Sequence, residues 1–221
     1  PHCGQAIDSI NGLDAPDTDH DGSVTEPRRQ MGDALHSEPV TVIYGPGASD
    51  GLVFAATNDG FLHAIDLESG IEQWAFVPPE FLGGQVALFK DEPSASKRYG
   101  IDAHLRIQTV ADNDGVIEAG EKVYLFFGVG RGGDFYYGLH VTQSLAPQLL
   151  WKLHGSSLPG LGQTWSAPSP TRVDVLGATQ NPDKLALVLG GGYEPDQDNP
   201  ALTTDTIGNS IYNVDSVSGA L

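Results

Sequence analysis

The sequence predicts an all-β protein assembled from recurring antiparallel units, and three observations carry that prediction. Short apolar runs of strand length alternate with Gly-, Asn- and Asp-rich breaks along most of the chain. One three-strand unit ending on a tryptophan recurs. The 28 Gly and 15 Pro, together about a fifth of the 221 residues, are spread as turn punctuation rather than gathered in one tract.

The first unit is GLVFAATNDGFLHAIDLESGIEQWAF. Residues 51 to 56 read as a buried strand and residues 61 to 66 as the next, with Asn58-Asp59-Gly60 expected to supply the positive-φ positions of a tight hairpin. A turn at Glu68-Ser69-Gly70 leads into a third strand over 71 to 76 that carries Trp74. Residues 122 to 153 repeat the plan and end near Trp151. KLALVLGGGY, joined after an insertion by residues 208 to 221, begins a third copy and stops before the expected tryptophan. Neighbouring copies of such a unit bury each other's faces, which is the logic of propellers and other repeat folds. The predicted fold is therefore a partial β-propeller with long inter-blade insertions at residues 79 to 121, 154 to 183 and 193 to 207; residues 79 to 90 have the makings of a short helix. The expected organisation is a lead-in over residues 1 to 40 and an incomplete propeller of two to three blades over residues 41 to 221. Two or three blades leave open edges, which call for the remainder of the propeller, in the parent chain, as partner.

Composition limits the function. There are 29 Asp and Glu against 11 Lys and Arg, a formal net charge of -18, which repels phosphate backbones and anionic membranes; nucleic acid and direct membrane insertion are excluded as expectations, and divalent cations fit. Cys3 is the sole cysteine, so no disulfide closes within the chain and no thiolate cluster awaits zinc. The chain opens on Pro1 and shows no signal peptide, as expected of a processed piece or an excised part of something longer, so the missing signal leaves the compartment open.

The strongest chemical signal is DTDHDGSVTE, residues 17 to 26. Asp17, Asp19 and Asp21 at alternate positions, followed by Gly22, direct three carboxylates to one side of a tight loop, with the Ser23 carbonyl as a further ligand, Thr25 or Glu26 as the last and Asp14 as an accessory. Calcium takes such hard oxygen ligands, and soft metals do not. The loop precedes the first strand, where little framework is expected to hold it. ADNDGVIEAGE, residues 111 to 121, offers Asp112, Asp114, the Val116 carbonyl, Glu118 and Glu121 between two expected strands, but places Val110 at the first ligand position, where water or Asn113 would have to substitute. A plain acidic turn is the alternative for both loops. YEPDQDNP, residues 193 to 200, lacks the glycine and reads as a hydrogen-bonded cap.

No catalytic constellation emerges. His63 lies inside a strand as a core histidine, His36 is placed at the entry to the first blade, and His104 and His140 show no carboxylate beside them in sequence. There is no Gly-x-Ser-x-Gly elbow, and GVGRGGD, residues 128 to 134, is a hairpin turn without a phosphate-binding helix behind it. Trp74, Trp151 and Trp165 are expected to be packing anchors between blades.

Ala64, Asp66, Gly70 and Trp74 resemble the quinoprotein-type repeat, in which an Ala-x-Asp-x-x-x-Gly turn precedes a docking tryptophan. With MGDALHSEPV, VYLFFGVGRGGDFYYGLHVT, LGQTWSAPSPTRV and LGGGYEPDQDNP in that order, the chain from about residue 17 onward is similar to the C-terminal propeller domain of the PilY-type type IV pilus tip-associated adhesins. The resemblance implies a non-enzymatic, exported, calcium-binding domain at the pilus tip or outer cell surface. It also implies roles in pilus biogenesis, in attachment to host or abiotic surfaces, and in control of extension and retraction, with minor pilins as partners. It leads one to expect an acidic residue near Val110. Two alternatives stay open: a quinone-dependent dehydrogenase, which needs a complete ring and a catalytic site not seen here, and a structural outer-membrane assembly propeller, against which the calcium loops argue.

Overall fold

Three antiparallel sheets follow one another along the chain. This computed structural model describes residues 2–47, 50–90, 93–112, 114–173, 184–201 and 203–221. The first sheet is a four-strand meander of β1 (Val40–Ile43), β2 (Gly51–Ala56), β3 (Leu62–Asp66) and β4 (Glu72–Phe76). The second repeats it with β5 (Leu105–Val110), β6 (Lys122–Gly128), β7 (Tyr136–His140) and β8 (Gln148–Leu153). The third has β9 (Ser169–Val173), β10 (Lys184–Gly190) and β11 (Ile211–Asp215), with β10 in the middle. The leading strands β1, β5 and β9 approach one another, as the inner strands of successive propeller blades do. The protein is all-β with a partial propeller architecture.

Two leading strands lie inside segments that the sequence reading set down as inter-blade insertions: β5, whose stretch HLRIQTV it did read as a strand, and β9, which it did not. β9 falls inside the supposed insertion of residues 154 to 183; its sequence SPTRV has a proline and no alternating apolar face, so pairing with β10 rather than local pattern makes it a strand. The first hairpin also differs from expectation. Its connection runs from residue 57 to 61, and of the Asn-Asp-Gly triplet Gly60 alone adopts a positive φ, at 97°. Two helices lie outside the sheets: α1 (His2–Ile10), which the sequence reading did not expect, and α2 (Pro79–Phe89), which it did. α2 begins with Pro79 and Glu80 in its first turn, where a missing N–H costs nothing and a negative charge suits the helix dipole. The two helices pack together, and Gln85 of α2 donates to the Asp59 carbonyl at 2.6 Å.

The middle blade shows why the units must stack. Along β6, Val123, Leu125 and Phe127 enter a core shared with the first blade, while Tyr124 and Phe126 enter one shared with the third. A strand buried on both faces has no solvated side, and Phe126 and Phe127 are wholly buried. Burying each such ring contributes about 1.5–3 kcal/mol.

The tryptophans fasten one blade to the next. Trp74 of β4 donates its indole N–H to the Ser144 carbonyl of the second blade at 2.7 Å, and Trp151 of β8 donates to the Ser216 carbonyl of the third at 2.9 Å. A small residue faces each ring across the sheet, Ala64 for Trp74 and Gly138 for Trp151, and a register shift follows in both places. A Cβ on Gly138 would sit 2.4 Å from the Trp151 ring. The Asp turn before Trp74 recurs in the third blade: Asp66 accepts from Ser69 N at 2.7 Å, and Asp215 accepts from Ser218 N at 2.7 Å. Trp165 departs from this scheme. It lies edge-on to His36, 5.4 Å between ring centres, and under the Arg131 guanidinium, so it is not a third docking tryptophan.

Candidate metal centre

The N-terminal acidic loop is held at its base by strand-like pairing. Leu13 bridges Pro27, Asp14 N–H donates to the Glu26 carbonyl at 2.9 Å, and Arg28 N–H donates to the Gly12 carbonyl at 2.6 Å. This corrects the expectation of a loosely held lead-in: the loop's two ends are zipped together. Within it, Gly22 adopts φ +87°, the turn required of it, and Asp17 and His20 also take positive φ, at 54° and 60°. Asp17 receives the Gly22 amide at 3.3 Å and Asp21 the Ser23 amide at 2.7 Å.

These constraints bring the carboxylates together. Asp17, Asp19 and Asp21 each offer an oxygen within 4.8 Å of the others, as predicted from their alternate spacing. Asp19 also belongs to a second group with Asp14 and Glu26 under the same limit. Asp14, an accessory in the sequence reading, is buried and takes both the Thr18 amide, at 3.0 Å, and the Thr18 hydroxyl. Thr18 had no sequence signal, being a threonine between acids. The Ser23 hydroxyl donates to Glu26 Oε2, while Glu26 Oε1 is buried with no hydrogen-bond partner among the described residues. A buried carboxylate oxygen without a donor is costly unless something positive meets it. Arg28 does not, since it faces Asp59 at 4.0 Å and the Phe61 ring. Five carboxylates with hard oxygen donors and one unmatched oxygen fit calcium. Thr25 enters none of the hydrogen bonds among the described residues that shape the loop.

The hairpin loop between β5 and β6 arranges the same residue types differently. Asp112 accepts the Asp114 amide at 3.1 Å, Asp114 accepts the Val116 amide at 2.9 Å, and Glu121 accepts the amides of Asp112 and Glu118 at 2.8 and 2.7 Å. Gly115 and Gly120 take positive φ, at 93° and 97°. Among the described residues, Asp112, Asp114, Glu118 and Glu121 do not converge as a group of three. Asn113, the residue suggested to fill the first ligand position, lies outside the described residues. The third acidic stretch is a hydrogen-bonded cap, as expected. Glu194 accepts the Thr206 amide and hydroxyl, both at 2.8 Å, which hold its carboxyl below the usual range. Asp198 accepts from Tyr193 at 2.6 Å, raising the phenol.

Four of the seven histidines are held in structural settings. His63 is buried between Glu72, 2.5 Å from its Nδ1, and Thr57, 3.2 Å from its Nε2; the hydrogen bond with His63 outweighs partial burial and keeps Glu72 below the ordinary carboxylate range. His36 ties the entry segment to the buried Asp102 at 2.9 Å. His140 meets the Thr142 hydroxyl at 2.8 Å. His104 corrects the sequence reading, since the folded chain brings Glu38 Oε2 to 3.4 Å from its Nδ1, from 66 residues away in sequence. The glycines of GVGRGGD serve close crossing: a Cβ on Gly130 would lie 2.3 Å from the Asp102 carbonyl oxygen, and one on Gly132 2.0 Å from that of Gly100.

No family model matches the chain. Among curated proteins it is 29% identical over 153 residues to the type IV pilus biogenesis factor PilY1 of Pseudomonas aeruginosa strain UCBPP-PA14. It is 29% identical over 151 residues to the PilY1 homologue of Xylella fastidiosa strain Temecula1. Each match covers 68% of this chain but 12% and 11% of the relative, so the chain spans about an eighth of the length of these proteins. Among solved structures, the C-terminal domain of Pseudomonas aeruginosa PilY1 aligns with a TM-score of 0.54 at 21% identity, covering 82% of this chain and 36% of that one. The chain is a sequence relative of the PilY1-type pilus biogenesis factors and has the fold of part of the PilY1 C-terminal domain.

Proposed function

We propose that this chain is the opening part of a propeller domain in an exported pilus-associated protein, acting in type IV pilus biogenesis and surface attachment and binding calcium through its N-terminal loop. The observation that carries the pilus reading is the relationship to PilY1 factors over 68% of the chain. What supports the calcium reading is the double carboxylate group around Asp19, with Glu26 Oε1 lacking a partner among the described residues. In this reading Asp14, Asp17, Asp19, Asp21 and Glu26 surround the ion, with the Ser23 carbonyl in reach of the same turn, and the hairpin set of Asp112, Asp114, Val116, Glu118 and Glu121 is the weaker second site. Location at the pilus tip, minor pilins as neighbours and an influence on extension and retraction follow from the same proposal.

The remainder of the parent chain is the first partner. On the third blade Ile211 of β11 is 80% exposed and shares a sheet face with the 37%-exposed Val188 of β10, a face that a following blade would cover. The experiment is genetic. Removing this segment from the parent gene should lower surface pilus number and twitching motility and reduce attachment; wild-type piliation and motility after removal would sink the proposal. The proposal also holds that the domain is not an enzyme. Purified chain supplied with calcium and a quinone should not reduce dye with simple alcohols, and turnover there would restore the dehydrogenase reading.

A further inference from the structure

We propose that the cleft beside Arg131 binds a carboxylate-bearing saccharide. The cleft measures about 580 Å³ and lies where the β6–β7 turn of the second blade meets the β10–β11 connection of the third. Arg131 and Trp165 form one wall, the backbone of Gly190–Gly192 lines it from the third blade, and Tyr193 and Asp198 stand among its other sides.

Three features set the ligand chemistry. The exposed Arg131 guanidinium carbon lies 5.6 Å from the Tyr99 ring centre and 5.6 Å from that of Trp165, so it packs on two aromatic rings. Among the described residues it meets no carboxylate and donates no hydrogen bond to protein, in a chain with 29 acidic residues and only 11 basic ones. A planar donor fork held in place without an acceptor matches a carboxylate in two-point contact. Glycine is obligatory along the third-blade wall. A Cβ on Gly190 would stand 2.8 Å from Ser166 Cβ, and one on Gly191 2.7 Å from the Gly208 and Ser210 carbonyls, so this wall stays bare backbone, and the polar side chains beside it are the hydroxyls of Ser166 and Ser210. Asp198, on the same cleft, is an acceptor for hydroxyls and repels a second carboxylate. One acidic group with hydroxyls around it and a C–H-rich ring face to lie on aromatic carbon describes a uronic acid unit better than an acidic peptide.

The test is titration of the 221-residue chain with a galacturonate hexamer, followed by calorimetry and tryptophan fluorescence in buffer freed of divalent ions by chelating resin. Working without calcium separates this inference from the metal reading, and it does not depend on the pilus assignment. The hexamer is expected to bind and Arg131→Gln to weaken it at least about tenfold, the scale of a charge-assisted contact at a partly solvated site, with an unchanged melting midpoint. Arg131→Lys, which keeps the charge without the fork, should fall between. Absence of binding at millimolar hexamer, equal affinity for a neutral hexasaccharide, tighter binding of a hexaglutamate peptide, or undiminished affinity in Arg131→Gln would each overturn the assignment.

Discussion

Residues 14 to 26 and residues 111 to 121 are both acidic turns with a positive-φ glycine in the middle, and both are joined at the base by strand pairing. They differ in what their carboxylates touch. In the hairpin loop, Asp112, Asp114 and Glu121 already accept amides from their own turn. In the N-terminal loop, Asp14, Asp17 and Asp21 each take one amide, yet Asp19 lies within 4.8 Å of four other acids in two groups, and Glu26 keeps a buried oxygen without a partner among the described residues. Carboxylates bonded to amides can shape a turn without an ion, whereas carboxylates facing one another repel and gain from a counter-charge. Spacing alone does not separate these cases; the partners of the oxygens do.

The largest expected effect tests whether the difference matters at all. Melting the chain in millimolar calcium and again in excess chelator should give clearly separated midpoints, since one native site at one hundred times its Kd adds about 2.7 kcal/mol. Coincident curves would remove both loops from the account. The next effect assigns the ion. Calorimetric titration of Asp19→Ala should show the tighter calcium phase lost or weakened at least about tenfold, roughly 1.4 kcal/mol, because the substitution breaks both carboxylate groups at once. Asp114→Ala should leave that phase in place. Loss of the tighter phase in Asp114→Ala instead would make the clamped hairpin the true site and the N-terminal loop an acidic lead-in.

How far the sequence foretold this comparison depends on the residue. The docking tryptophans were legible because Trp74 and Trp151 follow strands of clear pattern, and each turns out to reach a carbonyl of the following blade. Trp165 looked the same in sequence and is not, because its neighbours Arg131 and His36 come from distant segments. β9 was hidden because Pro170 and Arg172 give it no strand pattern, and only pairing with β10 defines it. In the N-terminal loop the alternation of Asp17, Asp19 and Asp21 was readable. Asp14 and Glu26 were each readable as neighbours of that set, but their meeting was not, since it arises from an antiparallel crossing of the loop's two ends, with the Asp14 amide on the Glu26 carbonyl. Glu38 beside His104 was invisible for the same reason, as a contact made by the fold and not by the spacing.

A smaller effect sharpens the hairpin side. If Asp114 is a turn-forming acceptor, Asp114→Ala should lower stability in chelator by about 1 kcal/mol or less, the net worth of one amide hydrogen bond, because Val116 N–H loses its 2.9 Å partner. Asp114→Asn, which keeps an acceptor oxygen, should recover most of that loss. A recovery in Asn and not in Ala identifies the hydrogen bond, rather than the charge, as what the loop uses.

The smallest expected effect is a change of sign. Asp19 lies within 4.8 Å of Asp14 and Glu26 on one side and of Asp17 and Asp21 on the other, so without an ion its charge is repelled from both directions. Asp19→Asn is nearly isosteric and removes that repulsion while leaving the loop's base pairing untouched. In chelator the variant should therefore melt at or slightly above the wild type, by a few tenths of a kcal/mol, the scale on which exposed charges act through water. In calcium the order should reverse, because the wild type gains the ion and the variant has lost the ligand common to both groups. The crossing of the two orders matters more than either size. A merely structural Asp19 would make the variant weaker under both conditions, and a merely solvated one would leave it unchanged under both. Raising the salt concentration gives a further check: the small advantage of Asp19→Asn in chelator should shrink as repulsion is screened over a Debye length of about 10 Å at 0.1 M and about 3 Å at 1 M. An advantage that persists at high salt would have to come from packing in the loop, and the argument from facing carboxylates would fail.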